Sequence, residues 1–375
     1  MTTLSTRALP GGTTHLVRPR ALRIAMVAPP YYPVPPQAYG GTEAVVAGLV
    51  DRLVSRGHHV TLFAAGPRGT TAQEFVRTSE RTLSARLGEA IPEVVNAARV
   101  LGLLRSRTVD LVHDHTVAGP LTAPSRAAPT LVTVHGSIAE LADLYRPLTP
   151  TVGLVAISHA QRASEPGLAW EATVPNGIDV ASFPFREHKD DYVLFLGRFH
   201  PQKAPHLAIE AARRAGVRII LAGKRTEPVE DEYYRTKVAP LLGRDAVDVG
   251  VADGVLKRRL LAGARCLVFP IRWDEPFGLV MVEAMACGTP VVALSHGSAP
   301  EVVAHGRTGF VVERPEQLAR AIEDCERLEA ADCRRRVSEH FSLDAMAAGY
   351  ERAYRRVLER GRRPGGRLPQ ARAQG

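Results

Sequence analysis

Apolar residues run through this chain in short continuous blocks, not in the alternating pattern of strands with one wet face. Residues 22–28, 59–65, 110–113 and 130–134 are such blocks, with 153–158 and 173–179 continuing the series. They suit strands of a parallel sheet, which is buried on both faces. Between the first two, residues 41–56 repeat apolar positions at helical spacing and stop at Gly57, so the chain opens as strand, loop, helix, strand. Residues 66–109 mix helical segments with polar loops and carry no legible motif.

A linker with Phe183-Pro184-Phe185 and a charged stretch ending at Asp191 interrupts the series and puts a boundary near residue 181. The pattern then restarts. Strands are expected at 192–196, 217–222, 247–249, 266–269 and 291–294, with helices near 204–215, 229–241, 253–264 and 277–287. The fold class is α/β, with two Rossmann-like doubly wound domains over residues 21–180 and 181–342 facing a central cleft. Basic tails at 1–20 and 361–375 are expected to be disordered.

Three places carry candidate chemistry. Segment 274–287 reads DEPFGLVMVEAMAC, an apolar helix whose only charge, Glu283, calls for partners or a ligand. Glu275 lies in the entering loop, and Phe277-Gly278-Leu279 forms a helix start whose free N–H groups favour a phosphate, while the two carboxylates can accept hydroxyl protons. A sugar diphosphate offers both. Arg198 and Lys203, in the turn after the second half's first strand, bring two cations to the edge where open α/β sheets bind ligands. In the first half, the loop after the first strand ends in Gly40-Gly41-Thr42-Glu43, which suits close backbone approach to a phosphate or hydroxyl, or a plain turn. It lacks G-x-G-x-x-G directly after the strand, which counts against a nicotinamide-dependent dehydrogenase. His113-Asp114-His115 and His135-Gly136 close two further strands, and no third distant ligand marks a metal site.

Glu275-x7-Glu283 within EPFGLVMVEAMACGTPVVA resembles the E-x7-E motif of retaining glycosyltransferases of family 4, which have the GT-B fold. The G-R-x-x-x-x-K turn at 197–203, V-T-V-H-G at 132–136 and V-P-N-G-I-D at 174–179 are similar to further segments of that family, so the likeness spans residues 22–358. It implies that Gly40 and Gly41 lie under the donor's diphosphate, that Arg198 and Lys203 grip it, and that His135 contacts the transferred sugar. By the same resemblance Glu275 holds sugar hydroxyls, Glu283 holds the ribose, the leaving phosphate takes the nucleophile's proton, and a last helix at 343–360 crosses back to the first domain. The implied activity is transfer from a nucleotide diphosphate sugar, UDP before GDP, to an acceptor that the sequence leaves open between small molecule, lipid and glycan. No metal and no other cofactor are expected. Alternatives are a nucleotide-sugar epimerase and a non-catalytic sugar-nucleotide-binding protein.

Composition adds limits. With 375 residues, 45% hydrophobic and 23% charged, the chain reads as globular, and without a signal-like apolar core or spanning run it is expected in the cytoplasm. Seven of its nine net positive charges are arginines of the two tails (7, 18, 20, 362, 363, 367 and 372), leaving +2 for the body. That is no nucleic-acid-binding surface, although weak attraction to an anionic membrane stays open. Cys266, Cys287, Cys325 and Cys333 show no C-x2-C spacing and read as structural thiols. The oligomeric state is not legible.

Overall fold

The computed structural model describes residues 20–362 apart from Ala38 and Asp253. Strands β1 (Arg23–Val27), β2 (His59–Ala65), β3 (Glu74–Ser79), β4 (Leu111–Asp114), β5 (Thr130–Val134), β6 (Val152–Ala156) and β7 (Trp170–Thr173) form one sheet in the order β3-β2-β1-β4-β5-β6-β7. Its pairings are all parallel, with Ile24 beside both Val60 and Leu111. Helices α1 (Gly41–Ser55), α2 (Ala90–Leu104), α3 (Ala142–Tyr145) and α4 (His159–Ser164) lie among these strands. The second sheet runs β10-β9-β8-β11-β12-β13, from β8 (Val193–Leu196), β9 (Ile219–Ala222), β10 (Ala246–Asp248), β11 (Leu267–Phe269), β12 (Val291–Leu294) and β13 (Gly309–Val312), again all parallel. Between and after them come α5 (Pro205–Arg214), α6 (Pro228–Tyr233), α7 (Gly254–Gly263), α8 (Leu279–Ala286), α9 (Ala299–Val302), α10 (Leu318–Asp324), α11 (Ala330–His340) and α12 (Leu343–Arg362). Two doubly wound sheets are thus present, and continuous apolar blocks such as β5 and β12 are buried along their whole length.

Several expected elements differ. β3 was not foreseen, because as an edge strand its EFVRTS sequence buries only alternate positions. The strand expected from Thr173 onward ends there: Pro175 has no N–H to give a ladder, and the chain continues as a linker whose Ile178 bridges to Ser342. The helix expected near 229–241 breaks after α6 into a π turn over Tyr234–Val238 and a 3-10 turn over Ala239–Leu241. The tails expected at 1–20 and 361–375 fall outside the described residues, except for Arg20 and the end of α12. No described helix is long and apolar enough to cross a membrane. All four cysteines are free and buried.

Helix α12 follows the second sheet in sequence but completes the core of the first: Met346, Ala347, Tyr350, Ala353 and Tyr354 pack with Ile24, Leu49 and Leu131. Polar contacts also fix it, the Glu351 carboxylate among them. Arg56 donates from Nε and Nη2 to the Glu351 carboxylate at 2.8 Å each. His58, whose Nδ1 accepts from Leu22 N–H, presents its Nε2 to Glu351 at 3.1 Å. Hydrogen bonding by Arg56 leads in holding the Glu351 pKa below the usual carboxylate value, against the opposing effect of burial. This stabilisation is complete above the unfolded carboxylate pKa and is lost as pH falls through the lower folded value. Glu351→Ala is expected to cost about 1–3 kcal/mol of unfolding free energy. In acid titrations below about pH 4 the wild type should lose stability that Glu351→Gln does not have to lose.

Candidate active site

In each sheet the strand order reverses beside its first strand, between β1 and β4 and between β8 and β11. Loops leaving the C-terminal ends there part and open a crevice. A cavity of about 460 Å³ occupies it, walled by the loop after β1 (Tyr31, Tyr32, Tyr39), by His115 after β4, by His135 and Gly136 after β5, and by residues 275–279 after β11.

Two helices begin at this cavity. Helix α1 starts behind Gly40 (φ 141°) and α8 behind Gly278 (φ 74°), conformations that glycine adopts without Cβ strain, and neither N-cap carries a capping side chain. The two N-termini abut, since a Cβ on Gly41 would stand 3.3 Å from Leu279 Cδ1. Gly278 is therefore the N-cap of α8, and the expected helix start at 277 moves to Leu279. The start of α8 has no capping side chain and suits an anion, whereas at the start of α1 the Glu43 carboxylate lies against Gly40 and takes its own backbone N–H.

The second sheet supplies charge beside it. Glu275 is held by its backbone: its carbonyl accepts from Ser298 N–H (3.0 Å), and the neighbouring Asp274 carboxylate accepts from Gly297 N–H (3.0 Å). Its Oε2 accepts from Lys203 Nζ and from Trp273 Nε1 (3.1 Å). Ala204, next to Lys203, has φ 49°, a left-handed conformation that costs an alanine of order 1 kcal/mol and aims the loop. Arg198 forks onto Glu230 (2.5 Å from Nε) and Glu227. Glu283 is not an unpaired buried charge: its side chain keeps 15% exposure and accepts from Lys257 Nζ at 2.7 Å. Of the residues singled out in the sequence, Gly40, Gly41, His135, Glu275, Phe277, Gly278 and Leu279 line the cavity, whereas Arg198, Lys203 and Glu283 stand outside its lining.

The histidines form a chain. His115 Nε2 lies 3.1 Å from Met26 Sδ, which can only accept, so that nitrogen carries the proton and His115 Nδ1 is an acceptor. His135 Nε2, 2.8 Å from it, must then donate, which leaves His135 Nδ1 as the acceptor. Burial keeps both rings neutral, lowering His135 to about 4 and holding His115 well below the usual histidine value. His113 is spent on Tyr354 and Thr133, both at 2.8 Å. Among the described residues no His, Cys, Asp and Glu group could hold a metal.

Models for known families cover most of the chain. The model described as Glycosyltransferase Family 4 matches residues 39–182, and the one described as Glycosyl transferases group 1 matches residues 180–340. The chain belongs to the family 4 glycosyltransferases. A D-inositol 3-phosphate glycosyltransferase of Mycobacteroides abscessus is 35% identical over 56% of this chain, and the match spans only about half (51%) of that relative's length. A phosphatidyl-myo-inositol mannosyltransferase of Mycolicibacterium smegmatis is 29% identical over 78% of this chain and 81% of its own. The solved structure of AviGT4, a glycosyltransferase involved in avilamycin A biosynthesis, superposes with a TM-score of 0.70 at 27% identity, covering 90% of this chain and 98% of that one. The two-sheet architecture of this family 4 chain is accordingly the GT-B fold.

Sequence reasoning did not weigh several cavity residues of this family 4 chain. Glu43, Glu93 and Asn176 are buried in its wall. Glu43 and Asn176 stand inside motifs that were noticed, G-G-T-E and P-N-G, whereas Glu93 comes from the stretch without a motif. The two halves also touch: Lys224 Nζ stands 3.2 Å from the Tyr39 ring centroid, and Glu301 accepts from His159 N–H (2.7 Å) and Ala160 N–H (2.5 Å) at the start of α4.

Proposed function

We propose that the protein transfers a sugar, with retention of anomeric configuration, from a nucleotide diphosphate sugar to a hydroxyl of an acceptor bound on the side of the first sheet. UDP is the first nucleotide to test and GDP the second. The observation that carries this reading is the meeting of two glycine-led helix N-termini at Gly40-Gly41 and Gly278-Leu279, with Lys203, from the loop that also carries Arg198, bonded to Glu275 at its edge. When the bond from the sugar's anomeric carbon to the diphosphate breaks, its electron pair leaves on phosphate oxygen, and these donors are already in place for that charge. The acceptor oxygen forms the new bond to the same carbon and passes its proton to the departing phosphate. Glu275, fixed by Lys203 and Trp273, takes donor sugar hydroxyls, and neutral His135 accepts one hydroxyl proton through Nδ1. Glu283 holds the ribose, sharing its carboxylate with Lys257.

Because backbone dipoles and two cations carry the charge, no divalent ion is required in this scheme. Turnover of UDP-sugars or GDP-sugars should persist in EDTA; abolition by EDTA and rescue by magnesium would overturn the metal-free mechanism. The function itself is tested by thermal-shift screening of UDP, GDP and ADP sugars, followed by mass spectrometry of transfer to candidate acceptors. A screen in which no nucleotide sugar stabilises the protein would sink it.

A further inference from the structure

Helix α2 is turned inside out over its first turns. Its Glu93 and Asn96 are buried against the fold, while Ile91, Val94 and Val95 face water at 61%, 49% and 43% exposure. Spacings of three and four residues put these three on one helix face, the face that a surface helix ordinarily gives to polar and charged residues. Leu87 in the loop entering α2, Val117 after β4 and Leu121 on the 3-10 turn over Gly119–Ser125 are exposed as well. These six are half of the twelve large hydrophobic side chains exposed among the described residues, so the exposure is concentrated in one stretch and is not the usual scatter. None of the six belongs to an apolar core among the described residues. Outward valine and isoleucine also cost α2 helix propensity, and no contact within the chain offsets it.

The exposed face runs into the active-site cavity. Leu87 and Val117 belong to both, since each lines the cavity and is exposed outside it. Glu93 ties the two sides of the patch together: its carboxylate accepts from Val117 N–H (3.1 Å) and Ala118 N–H (3.3 Å), which holds the loop after β4 against the start of α2. The way from the cavity to α2 is therefore apolar and fixed to the fold. A second copy of the chain seated there would cover Leu87 and Val117 and close the cavity on that side. A membrane surface fits poorly too, because helices that lie among lipid headgroups are rich in lysine and arginine, and α2 has Arg99 alone, balanced by Glu93.

Resting on the glycosyltransfer reading above, we propose that the acceptor is amphipathic: its hydroxyl-bearing head enters the cavity, and a single apolar tail runs out past Leu87 and Val117 and along Ile91, Val94 and Val95 of α2. The head meets the polar groups of the wall, His135 among them. The tail supplies the apolar contact that this face of α2 does not find within its own chain. A methylene that is fully buried strengthens binding about fourfold, and one that lies on a surface with a side still in water about twofold.

The test uses the full chain and the methyl, hexyl and octyl β-D-glucopyranosides below their micellar concentrations, with binding read by titration calorimetry and ligand-observed NMR, with and without UDP. Octyl glucoside is expected to bind roughly thirtyfold or more tighter than methyl glucoside, with hexyl glucoside between them. The double variant Val94→Gln, Val95→Gln should shrink that ratio to roughly fivefold or less while methyl glucoside and UDP bind as before. Both positions are exposed and glutamine forms helix better than valine, so the variant keeps its fold. Val229→Gln, an exposed valine of α6 in the second domain, should leave the ratio unchanged. Equal binding across the series, no binding of octyl glucoside, or an undiminished ratio in the folded double variant would each overturn the proposal. So would sedimentation of the chain with phosphatidylcholine vesicles, or a dimer that the double variant dissociates, since either would give the patch another occupant. Failure of the wild type to bind UDP or GDP would instead strike the transfer reading, because the tail-length series is measured without nucleotide as well.

Discussion

Replacing Lys203 by alanine is expected to weaken UDP or GDP binding by roughly tenfold to a hundredfold or more, corresponding to about 1.5–3 kcal/mol for one charge-assisted contact. Glu275 engages the Lys203 ammonium, whose other N–H groups remain for the diphosphate. The alanine variant also leaves Glu275, only 14% exposed, without its cation, so turnover should fall further than affinity. Arg198→Ala should lower affinity similarly, with an added loss of stability because the fully buried Glu230 loses its guanidinium. Calorimetry showing unchanged nucleotide affinity in both variants would place the donor elsewhere.

The second large effect separates the two glutamates. Glu275 stands at the cavity wall beside the helix junction, where contacts tighten as charge develops on the sugar, so Glu275→Gln should mainly lower kcat. Glu283 lies outside that wall, about two turns along from Glu275 and paired with Lys257. Contact with a ribose hardly changes between ground and transition state, so Glu283→Gln should mainly raise KM. Kinetics of both variants on one identified donor decide between the assignments. A reversed pattern, KM alone changed for Glu275→Gln and kcat alone for Glu283→Gln, would reverse the roles.

How much of this was legible depended on how buried each piece is. Strands β2, β5 and β12 coincide with their apolar blocks because parallel strands covered on both faces need continuous apolar sequence. β3 was hidden because an edge strand needs only part of that pattern. Glycine marked both helix starts at the cavity, while the question of whether α8 begins at 277 or at Leu279 needed the φ of Gly278. The sequence pointed to the cations Arg198 and Lys203, but it could not supply their acidic partners: Glu227 and Glu230 are 29 and 32 positions from Arg198, and Glu275 is 72 from Lys203. Glu283 called for partners or a ligand, and the sequence could not show that Lys257 of the neighbouring α7 is one such partner. Glu93 had no local signature, because its burial is created by the backbone of Val117 and Ala118, far away in sequence.

Helix α12 also sets an order of events during synthesis. Met346, Ala347, Tyr350 and Tyr354 belong to the same core as β1 and α1, yet they are made after the whole of the second sheet. At about 5–20 residues per second, the ribosome needs on the order of ten seconds or more to travel from the last strand of the first sheet to these residues. Through that interval the apolar seat of α12 against α1 is open to chaperones or to other chains. The half of the protein that is synthesised first is therefore the half whose folding is completed last.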